Sequence, residues 1–250
     1  MTIIKREKNM NLALVFAGGT GTRMNSKTKP KQFLELNGKP IIIHTIDIFD
    51  RHPEIDAIAV VCLEGWIDYL NELLEKFRIK KVRYVVPGGQ TGQQSIRNGL
   101  TAFWEDKDIP RDSLVLIHDG VRPLINEDII TRNIECAGQY GNAITVTPAI
   151  ETIITVSDND SVDQIMDRSK CRMARAPQTF RLCDIVEAHS KAVSEGALNM
   201  IDSAMLMSYY GAELHVVEGP VENIKITTPS DFYVFRAISE ARENSQIWGI

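Results

Sequence analysis

Short apolar runs alternate along the chain with longer segments whose apolar residues recur at helical spacing. The runs that predict strands are LALVFA (12–17), AIAVVCL (57–63), VRYVVPGG (82–89) and SLVLIHDG (113–120). The segments that predict helices lie between these runs, at 40–52, 66–77 and 94–105. Strands that alternate with helices pair in parallel through right-handed crossovers. The pattern predicts an α/β fold with an open, mostly parallel sheet, which binds ligands beyond the carboxyl ends of its strands.

Residues 143–180 interrupt this alternation. They are rich in Thr, Ile and Val around a polar turn, SDND (157–160), and predict an extended hairpin arm at about 145–175. An isolated hairpin is only marginally stable, so such an arm needs a surface to pack against. The predicted elements that follow are helices near 183–196, 202–211 and 229–241 and a strand at 213–219. Without a repeat or a clear linker, residues 1–250 are interpreted as one domain with an arm.

Composition narrows the classes of function. A net charge of −5 argues against a general nucleic-acid binder, which would need an excess of Lys and Arg. No run approaches the ~20 apolar residues of a membrane span, and the N-terminus lacks the apolar segment of a signal peptide. The four cysteines have no C-x-x-C spacing, which favours free thiols over a zinc site or a disulfide framework. We expect a cytoplasmic protein with neither nucleic-acid nor membrane partners.

A glycine-rich stretch, AGGTGTRMNSKTKPKQF (17–33), follows the first predicted strand. It lacks the third glycine of the dinucleotide fingerprint, since Met24 stands there, and it lacks the G-K-[ST] of a P-loop. Four cations lie within nine residues that contain no acid: Arg23, Lys27, Lys29 and Lys31. Backbone N–H groups with Arg and Lys form a suitable cradle for a triphosphate. A loop that only turns the chain is the alternative reading of the glycines.

Further motifs extend this pattern. They are IHDGVRP (117–123), RAPQTF (175–180) and ENIKITTP (222–229). Together with the glycine loop, this ordered set over about residues 11 to 240 resembles the cytidylyltransferase family of methylerythritol-phosphate and ribitol-phosphate enzymes. The resemblance implies a Rossmann-like nucleotidyltransferase fold, CTP as donor, a polyol phosphate as acceptor and Mg²⁺ as cofactor. It also implies a homodimer whose arms exchange between subunits.

The resemblance assigns roles to individual residues. Positions that match catalytic cations are Arg23, Lys31 and Lys225. Positions that match nucleotide-binding residues are Ala17, Gly18, Gly19, Thr20, Gly21, Gly89, Ser95 and Asp119. Positions that match acceptor-binding residues are Arg122, Arg168 and Asp202, with Arg168 presented by the arm to the partner's substrate. Positions that match metal-binding carboxylates are Asp119 and Glu222.

Each of these assignments has a structural alternative in the residues themselves. Asp119 could cap a turn and pair with Arg122 without touching a ligand. Lys225 could lie on a solvated face, Arg168 could belong to a basic surface strand, and Asp202 could cap a helix. His118 is not expected to act as a general base, because a phosphate nucleophile is already ionised at neutral pH.

The chain departs from the family pattern at four positions. Gln90 and Gly92 replace an acidic residue and an arginine near the expected base site, so amides and backbone groups are expected to recognise the base. Ala176 and Ile201 replace threonines at the acceptor site, which is expected to change acceptor selectivity. The expected acceptor is 2-C-methyl-D-erythritol 4-phosphate, with ribitol 5-phosphate or another polyol phosphate as the alternative. A uridylyl- or guanylyltransferase for a sugar 1-phosphate and a non-catalytic nucleotide sensor stay open.

Overall fold

The strands and helices follow the predicted alternation closely. The computed structural model describes residues 9–18 and 29–248, with side chains up to residue 244. The strands are β1 (Asn11–Ala17), β2 (Glu35–Leu36), β3 (Lys39–Pro40), β4 (Ala57–Cys62), β5 (Val82–Pro87), β6 (Leu114–Asp119), β7 (Asn142–Pro148), β8 (Ile154–Val156), β9 (Val162–Ile165), β10 (Arg172–Arg181) and β11 (Val216–Glu218). The helices are α1 (Ile41–Arg51), α2 (Ile67–Lys76), α3 (Gly92–Glu105), α4 (Glu127–Tyr140), α5 (Leu182–Glu195), α6 (Ser203–Tyr209) and α7 (Pro229–Trp248).

Seven of the strands form one sheet in the order β11-β7-β10-β6-β1-β4-β5. All neighbours pair in parallel except at β10, which runs antiparallel to both β6 and β7. The carboxyl ends of β1, β4, β5 and β6 therefore meet at one edge of the sheet. The predicted open, mostly parallel α/β sheet is confirmed, and this edge carries the candidate site.

The central strands of the sheet are buried on both faces, which explains their continuous apolar runs. In β1, Leu12 and Leu14 face a core that includes residues of α3 and α5, while Ala13 and Val15 face a core that includes residues of α1, α2 and α4. At Gly99 of α3, an added Cβ would lie 2.7 Å from Leu14 Cδ1, so this glycine lets the helix lie close against the sheet. Burial on both faces is typical of strands in parallel sheets.

A third apolar cluster lies beside the site edge. Val121 and Leu124, which follow β6, pack there with Ile226 and with Phe235 of α7. The backbone N–H of Ile226 donates to the carbonyl of Val121 at 2.9 Å. This packing fixes the segment that carries Lys225 against the turn after β6.

The segment 143–180 divides between the main sheet and a separate hairpin. Its two ends, β7 and β10, pair with each other in the main sheet. Between them, β8 and β9 form a two-stranded antiparallel sheet in which every residue is exposed. The apolar side chains Ile154, Val156, Val162 and Ile165 are 47 to 72% exposed, which is unusual for such residues. The predicted arm is present in this hairpin.

The sequence also predicted free thiols and no membrane-spanning segment. All four cysteines are free, and Cys62 is fully buried. In the part of the chain that the structure describes, no helix is both long and apolar enough to cross a bilayer.

Candidate active site

Asp119 lies at the centre of the site, at the end of β6 beside β1 and β10. Its carboxylate is buried and accepts two charged hydrogen bonds, from Arg122 Nε to Oδ2 at 2.7 Å and from Lys225 Nζ to Oδ1 at 2.6 Å. Burial alone would raise the pKa of this carboxyl group, but the charges and hydrogen bonds of Arg122 and Lys225 outweigh it and lower the pKa to about 2. The structure therefore holds a fully ionised carboxylate between two cations.

Backbone contacts explain how residues distant in sequence meet at Asp119. The turn after β6 closes with a hydrogen bond from the Arg122 N–H to the Asp119 carbonyl. The Arg122 guanidinium also donates to the carbonyl of Asn223, 101 residues away, at 2.9 Å. The buried Asn223 side chain donates in turn to the carbonyl of Ala176 on β10. One chain of hydrogen bonds thus connects β6, β10 and the segment that carries Lys225.

The two predicted nucleotide-binding turns touch each other. A Cβ added to Gly18 would lie 2.8 Å from Ser95 Oγ, closer than real Cβ contacts, and 3.2 Å from Gly88 Cα, which is also tight. Ser95 Oγ accepts from the Gly89 N–H at 3.0 Å and donates to the Thr91 carbonyl at 2.9 Å. Glycine is needed at residue 18 because the loops after β1 and β5 approach through their backbones. Ala17, Gly18, Gly89 and Ser95 therefore belong to one region.

The predicted catalytic cations are brought together as far as the structure describes them. Lys31 lies in a short 3-10 turn, and its Nζ donates to the Ile226 carbonyl at 3.0 Å, next to Lys225. Gln32 in the same turn donates to the Ala17 carbonyl. Lys29 instead contacts Glu35 at 3.4 Å and the Tyr69 hydroxyl at 3.3 Å. Four predicted residues lie outside the described part of the chain: Gly19, Thr20, Gly21 and Arg23.

A cavity of about 300 Å³ opens beside Asp119. Arg122 and Lys225 line it near the carboxylate, and β10 and α6 supply the rest of its charged lining through Arg175 and Asp202. The predicted alternative role of Asp202 is observed, because its Oδ1 caps α6 by accepting from the Met205 N–H at 2.8 Å. Its Oδ2 accepts from the Gln178 side chain at 2.9 Å while the residue also lines the cavity.

The two missing threonines fall at this cavity. Ala176 and Ile201 both line it, Ala176 from β10 and Ile201 from the residues just before α6. Ile201 is 88% exposed, so it presents an apolar surface where the family pattern has a hydroxyl. The departures therefore alter the polarity of the cavity and leave the carboxylate and its two cations intact.

Glu222 and Arg168, predicted to bind the metal and the acceptor, do not line the cavity. Glu222 is exposed in the turn before Asn223 and does not line the cavity. Arg168 lies on a short turn of the arm, where its guanidinium donates to the Ile150 carbonyl at 2.7 Å. Within residues 9–18 and 29–248, no three His, Cys, Asp or Glu side chains cluster as a metal site. Of the two predicted metal-binding carboxylates, Asp119 lines the cavity and Glu222 does not.

His118 is buried within the fold. Its Nε2 lies 3.2 Å from the Arg122 carbonyl, and burial lowers its pKa to about 4, so the imidazole is neutral. It does not line the cavity. This placement agrees with the expectation that His118 is not a general base.

Five polar residues of the cavity received no individual role from the sequence: Gln93, Arg175, Gln178, His189 and Ser203. Arg175 and Gln178 lie in the RAPQTF motif, which pointed to this segment of the chain but not to the roles of its individual side chains. His189 is isolated on an amphipathic helix, and Ser203 follows a capping residue. For these two, only the tertiary structure supplies a signal.

Comparison with known proteins places these observations in a family. A model of the family described as 2-C-methyl-D-erythritol 4-phosphate cytidylyltransferase (IspD) matches residues 11–241. A protein of Vibrio parahaemolyticus serotype O3:K6 named ribitol-5-phosphate cytidylyltransferase is 54% identical over 240 residues, which cover 96% of this chain and 100% of that protein. A 2-C-methyl-D-erythritol 4-phosphate cytidylyltransferase of Clostridium acetobutylicum is 39% identical over 225 residues, covering 90% and 95%.

Solved structures agree with the sequence comparison. The crystal structure of 4-diphosphocytidyl-2C-methyl-D-erythritol synthase from Anaerococcus prevotii superposes with a TM-score of 0.81 at 29% identity, covering 93% of this chain and 96% of that one. The similarity therefore extends over the sheet, the arm and the site edge together.

Proposed function

The chain belongs to the 2-C-methyl-D-erythritol 4-phosphate cytidylyltransferase family, and we propose that it transfers the cytidylyl group of CTP to ribitol 5-phosphate, with CDP-ribitol and pyrophosphate as products. The observation that carries this choice of acceptor is the 54% identity, over the whole length, to a relative named for ribitol 5-phosphate. The relative named for methylerythritol phosphate is 39% identical. The expectation from the sequence named methylerythritol phosphate first, and the relatives support its alternative better.

The cavity supports a changed acceptor for a physical reason. Ala176 and Ile201 remove two hydroxyl groups from its lining. A site whose polar groups hydrogen-bond one substrate strongly disfavours another substrate whose polar groups do not match them. An acceptor that depends on those threonines would lose hydrogen bonds here.

In the proposed reaction, a phosphate oxygen of the acceptor attacks the α-phosphorus of CTP while the bond to pyrophosphate breaks. The nucleophile is already ionised, so the protein needs to position the reactants and neutralise charge. Lys225 and Arg122, fixed by Asp119, present two cations at the cavity. Lys31 and Arg23 are proposed to stabilise the charge that develops on the leaving pyrophosphate.

Mg²⁺ is proposed as the cofactor, and Asp119 would hold it. Hard cations prefer carboxylate oxygens, and Mg²⁺ commonly binds one or two carboxylates together with substrate phosphates and water. The ionised carboxylate of Asp119 fits this chemistry. A bound Mg²⁺ would neutralise charge on the triphosphate oxygens. Glu222 as a second carboxylate stays a prediction, since its side chain is exposed outside the cavity.

A homodimer is proposed to form through the arm. The β8–β9 hairpin exposes apolar side chains that a second copy would cover, and Arg168 lies on the arm away from the cavity of its own chain. Arg168 is therefore proposed to reach the acceptor phosphate of a partner subunit. Mixing Arg168→Ala with Asp119→Asn subunits tests this, because exchange would create one complete site per mixed dimer. Activity well above the sum of the two variants is expected, and simple additivity would contradict exchange.

The experiment for the proposed function is a matrix of donors and acceptors. CTP, UTP and GTP are each combined with ribitol 5-phosphate, 2-C-methyl-D-erythritol 4-phosphate and a sugar 1-phosphate, and pyrophosphate release is measured. CTP with ribitol 5-phosphate is expected to give the highest kcat/KM. A higher value with methylerythritol phosphate would overturn the acceptor, and a higher value with UTP or GTP would overturn the donor. No release in any combination would support the non-catalytic nucleotide sensor.

A cytoplasmic location, where CTP is available, completes the proposal.

A further inference from the structure

The cavity beside Asp119 contains a cation that no carboxylate neutralises. Arg175 of β10 lines it, half-buried, and its only hydrogen bond in the described chain is a long one, from Nε to Thr147 Oγ1 at 3.4 Å. Among the described residues, no acidic side chain forms an ion pair with it, whereas Arg122 is paired with Asp119. Burial lowers the pKa of Arg175, and the like charge of Arg122 lowers it further. An anion bound here would relieve both effects.

Two buried polar atoms of the same cavity also have no hydrogen-bond partner within the described chain. They are Nε2 of His189 and Oγ of Ser203, and both residues are only 3% exposed. An unsatisfied buried polar group destabilises a protein, and native proteins keep few of them. Burial lowers the pKa of His189 to about 4, so its ring is neutral and offers a hydrogen bond to a hydroxyl group. These atoms suit a ligand rich in hydroxyl groups.

We propose that Arg175 binds the phosphate group of the acceptor and that Ser203 and His189 bind hydroxyl groups of its polyol chain. The inference rests on the proposed function and specifies how this chain recognises a linear polyol monophosphate. Ala176 and Ile201 provide no hydroxyl groups, so the polar contacts of the acceptor come from these other side chains of the cavity.

The positions of Arg122 and Arg175 support the assignment of the acceptor phosphate to Arg175. Arg122 is fixed by its ion pair with Asp119, and its positive charge lowers the pKa of Arg175, which lines the same cavity. A phosphate bound by both guanidiniums would lie beside the carboxylate and Lys225, where the α-phosphate of the donor has to react. Guanidinium groups bind phosphate oxygens through paired, charge-assisted hydrogen bonds. Arg175 would therefore orient the attacking phosphate as well as bind it.

Kinetics with matched variants test the role of Arg175. Arg175→Met removes the charge and keeps the length, and Arg181→Met removes the same charge from an exposed residue of β10 that pairs with Leu114 at the opposite end of β6. The KM for the acceptor is expected to rise at least 10-fold in Arg175→Met while the KM for CTP changes less than 2-fold. Arg181→Met should resemble the wild type. Equal changes in both KM values, or an unchanged KM for the acceptor, would overturn the assignment.

Binding without turnover separates the two parts of the acceptor. Calorimetry on the full chain compares ribitol 5-phosphate, ribitol and inorganic phosphate in the wild type, Arg175→Met and Ser203→Ala. The wild type is expected to prefer the phosphorylated polyol at least 10-fold, and Arg175→Met should lose most of that preference while Arg122 keeps its charge. Ser203→Ala should weaken the binding of ribitol 5-phosphate several-fold and leave the affinity for inorganic phosphate unchanged. Equal weakening of both would contradict the role given to Ser203.

The outcome for Arg175 can be distinguished from the outcome for the proposed function. If a different polyol phosphate turns over best in the donor and acceptor matrix, the choice of ribitol 5-phosphate fails. The role of Arg175 is then tested by comparing the binding of that substrate with the binding of its dephosphorylated polyol. If Arg175→Met keeps the wild-type preference for the phosphorylated form of whichever acceptor reacts, the inference fails while the proposed reaction stands.

Discussion

Replacing Asp119 with asparagine removes the negative charge between Arg122 and Lys225 and keeps the size of the side chain. The folded protein holds the pKa of Asp119 at about 2, compared with an ordinary value of 3.8. At 1.36 kcal/mol per pKa unit, this difference stabilises the ionised folded state by about 2–3 kcal/mol. Breaking a fully buried ion pair costs about 3–5 kcal/mol. Because Lys225 is 39% exposed and solvent screens its pair, the lower figure is expected here.

The pH dependence of this loss gives the prediction its sharpest test. A carboxyl group whose pKa is lowered on folding stabilises the protein above its unfolded pKa, and the stabilisation disappears as the pH falls through the folded value. Urea unfolding of the wild type and Asp119→Asn is therefore expected to differ by about 2–3 kcal/mol at pH 7 and by about half of that at pH 3. The amide resembles the protonated acid, so the two proteins converge as the pH approaches 2.

An exposed pair supplies the matched control for this experiment. Asp128 pairs with Arg132 at 2.9 Å, but the two side chains are 67% and 41% exposed. Exposed pairs one helical turn apart contribute about 0.3–0.5 kcal/mol, so Asp128→Asn should change stability by less than about 0.5 kcal/mol. A pH-independent difference for Asp119→Asn, or one as small as the control's, would refute the reasoning from the buried carboxylate. Pyrophosphate release by Asp119→Asn is also expected to fall at least 100-fold, since the proposed metal ligand is lost.

Two further substitutions test the nucleotide side of the site. Lys31→Ala is expected to lower kcat for pyrophosphate release about 100-fold, in the range for loss of one charge-stabilising group, while Lys29→Ala in the same segment stays close to wild type. Unchanged release by Lys31→Ala with CTP, Mg²⁺ and the correct acceptor would show that the loop assignment is wrong. Gly18→Ala places a Cβ 2.8 Å from Ser95 Oγ and 3.2 Å from Gly88 Cα, so the Ser95 side chain or the neighbouring turn must shift. Its KM for CTP is expected to rise about 10-fold with a loss of about 1–3 kcal/mol in urea unfolding, and wild-type values for both would contradict the close approach.

The sheet was predictable because its central strands are buried on both faces. β4 and β6 consist entirely of buried residues, so their sequences read as continuous apolar runs. Helix α4 was not predicted, although Asn126 caps its start and Gly141 ends it with a φ of 86°. The ends of the segment 143–180 were also hard to assign, because β7 and β10 share the Thr, Ile and Val content of the hairpin between them.

The site was predictable where its residues are neighbours in sequence. Asp119 and Arg122 lie within one turn, and the motif HDGVRP states their spacing directly. Lys225 joins them through long-range contacts, the packing of Ile226 on Val121 and the hydrogen bond from Arg122 to the Asn223 carbonyl, which no local pattern reveals. The resemblance to a family supplied that residue.

The residues proposed to recognise the acceptor were the least predictable part of the site. Arg175, His189 and Ser203 lie on or beside three different elements, and their common property is a charge or polar atom left without a partner in a shared cavity. Such a property exists only in three dimensions. A sequence can show that a serine is present, but it cannot show that its hydroxyl group is buried and unsatisfied.

Within the seven-stranded sheet, β10 runs antiparallel to both of its neighbours, and its position has a consequence for how such proteins diversify. The residues proposed to bind the nucleotide lie at and just after the ends of β1, β5 and β6, whereas the cavity proposed to bind the acceptor is lined by residues of β10 between 174 and 178 and by residues 200–203 at and before the start of α6. Mutations in these two short segments can therefore accumulate without disturbing the catalytic cations. A combinatorial library confined to them, selected for growth on a new polyol phosphate, would explore acceptor specificity while inheriting an intact cytidylyl-transfer apparatus.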